Sequence, residues 1–87
     1  MPRYLITRTV GSLTEAQVAE AVQRAKGVLT LFPQIKWVRT FYAAEEGKMY
    51  CEYEAPAVDL VYEHAKLAHV PVDSIATVTE LLPAMYR

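Results

Sequence analysis

The feature that most constrains this chain is a pair of helical apolar stripes, each flanked by runs that suit β-strands. Val18, Ala21, Val22, Ala25, Val28, Leu29 and Phe32 recur at i, i+3, i+4 and i+7, and Val58, Val61, Tyr62, Ala65 and Ala68 repeat the pattern. Around them Tyr4 to Thr9, Ile35 to Ala43, Lys48 to Ala55 and Ile75 to Leu82 are rich in β-branched and aromatic residues. Turn and cap signals fall between the runs. Gly11 closes the first strand, and Ser12-Leu13-Thr14-Glu15 and Thr14-Glu15-Ala16-Gln17 each have the spacing of a helix-opening capping box. Pro33 ends the first stripe, because a residue before proline avoids the helical region. Glu45-Glu46-Gly47 supplies a hairpin turn, Pro56 breaks the third strand, Pro71 stops the second helix and Pro83 closes the fourth strand.

The order is therefore β-α-β-β-α-β. Two right-handed crossovers place both helices on one face of a four-stranded antiparallel sheet. The expected fold is α+β, a ferredoxin-like βαββαβ plait, with residues 1–87 as a single domain. At 87 residues with 53% hydrophobic content, the chain carries more apolar surface than one small core absorbs. A second copy on the open face of the sheet is the economical cover, so a homodimer is expected.

Charge and cysteine usage narrow the function classes. Nine basic residues against ten acidic ones give a formal net charge of −1, which argues against a nucleic-acid binder with its clustered basic excess. No apolar run reaches membrane-spanning length. Met1-Pro2-Arg3-Tyr4 lacks the apolar stretch of a signal peptide, and the lone Cys51 allows no intramolecular disulfide. A cytoplasmic protein is the expectation.

Pairing the hairpin around Glu45 and Glu46 predicts Phe41 opposite Tyr50, Arg39 opposite Glu52 and Trp37 opposite Glu54. Alternation then puts these six on one face, and Val38, Thr40, Tyr42, Met49, Cys51 and Tyr53 on the other. The second set is smaller and less charged, so it belongs under the helices. The first set makes the open face, which suits a dimer interface with an Arg39–Glu52 ion pair, a small-molecule cleft, or a metal site built on the glutamates.

Few residues carry obvious chemistry. His64 lies at the edge of the second helix's apolar stripe, as a boundary residue, and His69 falls at that helix's C-terminus as a cap. Their spacing separates them by more than about 100° around the helix, unlike an i, i+4 metal pair. Cys51 reads as a small core residue or a soft metal ligand. Glu52 and Glu54 share one strand face, where they could hold a hard cation or serve acid–base work. No Cys-x-x-Cys, His-Glu-x-x-His, phosphate-binding glycine loop or nucleophile elbow is present.

Several stretches together resemble a family of small proteins, long known as a domain of unknown function, one branch of which is the nickel-binding proteins. They are Pro2-Arg3-Tyr4-Leu5-Ile6, Trp37-Val38, Tyr50-Cys51-Glu52-Tyr53-Glu54-Ala55-Pro56, Glu63-His64-Ala65 and Pro71-Val72-Asp73-Ser74-Ile75. The resemblance covers nearly the whole chain in order. It implies a ferredoxin-like homodimer that binds nickel on its surface, with His64 matching the family pattern and Glu52 standing where an apolar residue is common; Glu52 and Glu54 remain further candidate ligands on the ground of their shared strand face. It departs at two plausible ligand positions, where Thr7 replaces a glutamate and Arg39 replaces a histidine after the Trp-x pair. Arginine is the worse substitute, having a positive charge and no lone pair to give.

The leading expectation is thus a small dimeric metal-binding protein of the nickel type, its affinity altered or lost. The alternative is an enzyme of the dimeric α+β-barrel kind, a cofactor-free oxygenase or isomerase, with a cleft near Trp37, Arg39, Phe41 and Tyr50. A purely structural or regulatory interaction domain is the third reading.

Overall fold

The computed structural model describes residues 1–86. The elements run β1 (Arg3–Thr9), α1 (Glu15–Leu29), β2 (Lys36–Ala43), β3 (Lys48–Glu54), α2 (Val58–Ala68) and β4 (Ser74–Val78), followed by a 3₁₀ turn at Pro83–Met85. The strands form one sheet in the order β2-β3-β1-β4, and each neighbouring pair is antiparallel. This is the ferredoxin-like plait, with β1 and β3 central and the two helices packed side by side.

Local chemistry sets the boundaries. Of the two capping boxes legible in the sequence, the one at Thr14 forms: its hydroxyl accepts from the Gln17 N–H, and the Gln17 amide oxygen accepts from the Thr14 N–H. The α1 helix ends at Leu29, earlier than its apolar stripe suggests. Tightened turns through Thr30, Leu31 and Phe32 carry Phe32 back into the core. His69 closes α2 in the left-handed conformation (φ 55°), with its N–H donating to the Ala65 and Lys66 carbonyls. At the far end of the sheet, the Val10 and Gly11 N–H groups both donate to the Gly47 carbonyl. A Cβ on Gly47 would lie 3.1 Å from the Gly11 Cα, so that close approach depends on glycine.

The last strand is shorter than expected, ending at Val78 rather than Leu82. Val78 pairs with Arg3, where β1 begins, so Thr79 to Leu82 meet no further strand to bond. They leave the sheet, and Leu81 and Leu82 lie exposed.

A bulge in β2 produces the second difference. Phe41 faces Tyr50 and Arg39 faces Glu52, as the turn register requires, but Trp37 then pairs with Tyr53 and Lys36 with Glu54. The extra residue falls between Trp37 and Arg39. It rotates Trp37 off the open face, so that its indole N–H donates to the Thr40 hydroxyl at 2.8 Å and its ring meets Tyr53 edge-on. In a regular strand residues three apart point to opposite faces; the bulge lets Trp37 and Thr40 meet.

The core lies between sheet and helices, around Tyr4, Ile6, Met49, Cys51, Tyr53 and Val61. Two polar residues are buried among them, His64 from α2 and Arg8 from β1. Among the described residues no helix is long and apolar enough to cross a membrane.

Candidate functional site

The open face gathers Arg3, Leu5 and Thr7 from β1, Tyr50, Glu52 and Glu54 from β3, and Lys36, Arg39 and Phe41 from β2. Its centre is an arginine clamp. Arg3 Nη2 donates to Glu54 at 2.5 Å, while Nη1 lies 3.1 Å from Glu52 and 2.9 Å from Glu80. Arg39 Nε approaches Glu52 from the other side at 3.6 Å. The Arg39–Glu52 pairing was legible in the hairpin register. Arg3 was not, because its partners are 49 and more residues away in sequence and meet it only through the pairing of β1 with β3 and with β4.

The electrostatics follow from that clamp. Its hydrogen bond from Arg3 holds the Glu54 carboxyl below the usual carboxylate range, with Lys36 adding to the effect. Tyr50 donates to Glu46 across the turn, and this bond raises its phenol pKa. Glu52 and Glu54 therefore share one face, and both carboxylates are already met by guanidinium groups.

His64 is elsewhere. Its side of α2 faces the covered side of the sheet, so the residue is 0% exposed rather than a boundary residue. Nε2 carries the proton and donates to the Ala25 carbonyl of α1 at 2.9 Å, whereas Nδ1 has no partner. The rings of Phe32 and Tyr53 approach it edge-on at 5.9 and 5.7 Å. Burial lowers its pKa, the Ala25 bond works against that, and the nearby Arg8 charge reinforces it. Tyr53 shares this setting, and burial pushes its phenol up to about 12.

The three residues expected to ligate metal are thus divided by the sheet: Glu52 and Glu54 on its open side, His64 beneath it. Among the described residues no three His, Cys, Asp or Glu side chains gather into a group that could hold a metal ion. Within the chain this set does not fit a shared metal centre, and the arginine clamp occupies both carboxylates. Nor do the four residues of the expected cleft share a face, since the bulge turns Trp37 to the covered side, away from Arg39, Phe41 and Tyr50.

The fold has a counterpart among known proteins. A family model described as nickel responsive protein SCO4226-like matches residues 4–78. The chain belongs to that family of small nickel-responsive proteins. The crystal structure of SCO4226 from Streptomyces coelicolor A3(2) superposes with a TM-score of 0.80, covering 92% of this chain and 99% of that one at 20% identity. At that identity the superposition carries the fold. No curated protein matches the chain.

Proposed function

We propose that this protein is a small dimeric binding protein of the nickel-responsive type in which metal affinity has been weakened by arginines on the open face. The observation that carries the reading is the clamp: Arg3 on Glu52 and Glu54, with Arg39 beside Glu52. A divalent ion approaching those carboxylates must displace a guanidinium and then bear its repulsion. The residual site consists of Glu52 and Glu54, shared with their counterparts across the dimer, and His64 serves the core. Without an imidazole, carboxylate donors are poor ligands for nickel, and among nickel, zinc and copper the last is favoured on intrinsic affinity.

The dimer forms through the open face in this reading. Phe41 stands 62% exposed there, and Leu81, Leu82, Met85 and Tyr86, which follow β4, are exposed as well. Sedimentation velocity checks this part, with a dimer expected for the wild type. Calorimetric titration of metal-free protein with nickel, copper and zinc checks the other. The wild type should give at most weak, millimolar-range binding, and Arg39→His should tighten nickel binding about tenfold or more by trading a cation for a lone pair. Micromolar nickel binding by the wild type, unaffected by Arg39→His, would refute the weakening.

A further inference from the structure

We propose that the space between α1 and the covered face of the sheet is a binding site for a small apolar monocarboxylate, anchored by Arg8. The cavity measures about 400 Å³, within the range of small-molecule sites. Arg8, Cys51 and Tyr53 line it from the sheet, Ala21 and Val22 from α1, and Trp37 from the bulged strand.

Arg8 is the reason to expect an anion. It lies near the end of β1, two residues from the buried Ile6 and on the same face, and is 3% exposed. Its Nη1 donates to the Pro71 carbonyl at 2.8 Å and its Nε to the Cys51 sulfur at 3.4 Å, while Nη2 has no partner. Among the described residues no carboxylate forms an ion pair with it. A guanidinium is a cation with no acceptor of its own, and a buried charge without a counter-charge is strongly unfavourable. The face of the Tyr53 ring, with its centroid 6.0 Å from the guanidinium carbon, offsets only part of that. A neutral side chain would suit this core position better, so the arginine implies a partner that arrives from outside.

The chemistry of that partner follows from what surrounds the charge. One cation with one free nitrogen matches a single negative charge. The acidic residue on the cavity wall, Glu20, is engaged by Arg24, whose Nε is in turn committed to the Ala68 carbonyl. A dianion such as a phosphate would therefore find no second free cation and one repelling carboxylate. The rest of the wall is largely apolar, which favours a hydrocarbon body. Nη2 is closed to water in this arrangement, so the carboxylate reaches it through a rotamer change of a lining side chain, a common adjustment on binding. None of this involves the open face, so the proposal stands independently of the metal reading.

The test is a titration with octanoate and with octanamide, its neutral counterpart. Binding is followed by the fluorescence of Trp37, the single tryptophan, and by Tm. Octanoate should perturb Trp37, raise Tm in proportion to concentration, and bind about tenfold or more tighter than octanamide, reflecting a charge-assisted bond. Arg8→Met should erase the preference, and Ala21→Phe, which fills the cavity, should block both ligands. Amide NMR shifts on octanoate addition should centre on Arg8, Trp37 and Met49, which keeps the proposal testable should Arg8→Met fail to fold. Equal affinity for octanoate and octanamide, octanoate binding unchanged in Arg8→Met, or shifts confined to Phe41 and Tyr50 would each overturn it. Displacement of octanoate by inorganic phosphate at matched concentration would overturn the monocarboxylate assignment.

Discussion

The two faces of the sheet handle charge in opposite ways. On the open face, where water already solvates ions, Arg3 and Arg39 meet Glu52 and Glu54 within the protomer. On the covered face, where an unpaired ion is most unfavourable, Arg8 has carbonyl and sulfur partners only, and His64 leaves one nitrogen unbonded. Pairing is thus most complete where it contributes least to stability, and least complete where it would contribute most. The contrast teaches where each face can act. On the open face the carboxylates are met by arginines, whereas the covered face holds a positive charge with no carboxylate partner among the described residues, beside a cavity.

The largest effect that sharpens this contrast is packing. Ile6 is fully buried on β1, and Ile6→Ala should destabilise the fold by about 2–5 kcal/mol in chemical denaturation. Next comes the buried charge. If Arg8 is held in the core against its own stability, Arg8→Met should leave the ligand-free fold unchanged or raise its stability by about 1 kcal/mol. A loss as large as that of Ile6→Ala would instead make Arg8 a structural strut.

Acid sensitivity separates the faces further. His64 has a depressed pKa in the fold, so it is neutral there while the unfolded chain protonates near its ordinary value of 6.5. Its contribution is complete above that value and is lost as pH falls towards the folded pKa, with a slope of at most about 1.4 kcal/mol per pH unit. Tm should therefore be flat above pH 7 and decline below about 6.5. His64→Gln, which keeps a donor for the Ala25 carbonyl, should flatten that decline. Glu54, whose pKa is also lowered, adds its own loss only below the usual carboxylate range, under about 4.5. The smallest effect belongs to the open face: Phe41→Ala should change unfolding of the dilute protein by no more than about 0.5 kcal/mol. In sedimentation it should still shift the protein towards monomer.

Much of the fold could be read in advance because its signals are local. The Thr14 capping box, the place of His69 as the cap of α2 and the Phe41–Tyr50 and Arg39–Glu52 pairings all depend on residues near one another in sequence. What escaped depends on contacts across the sheet. The bulge before Arg39 shows in the shifted pairing of Trp37 with Tyr53 and in the bond between Trp37 and Thr40, and β4 ends where β1 runs out. His64 sat at the edge of a helical wheel but is buried, because α1 and the sheet close over that edge. Arg8 did leave a signal: alternation from Tyr4 through Ile6 places it on the covered face, where an arginine demands a reason.

The most direct test of the account is a nickel titration followed by amide NMR, since the paramagnetic ion broadens the residues nearest to it. The account predicts broadening only in the millimolar range, centred on Glu52 and Glu54, and at lower nickel concentrations once Arg3→Ala and Arg39→Ala are combined. Broadening centred on His64, or saturating at micromolar nickel in the wild type, would contradict it.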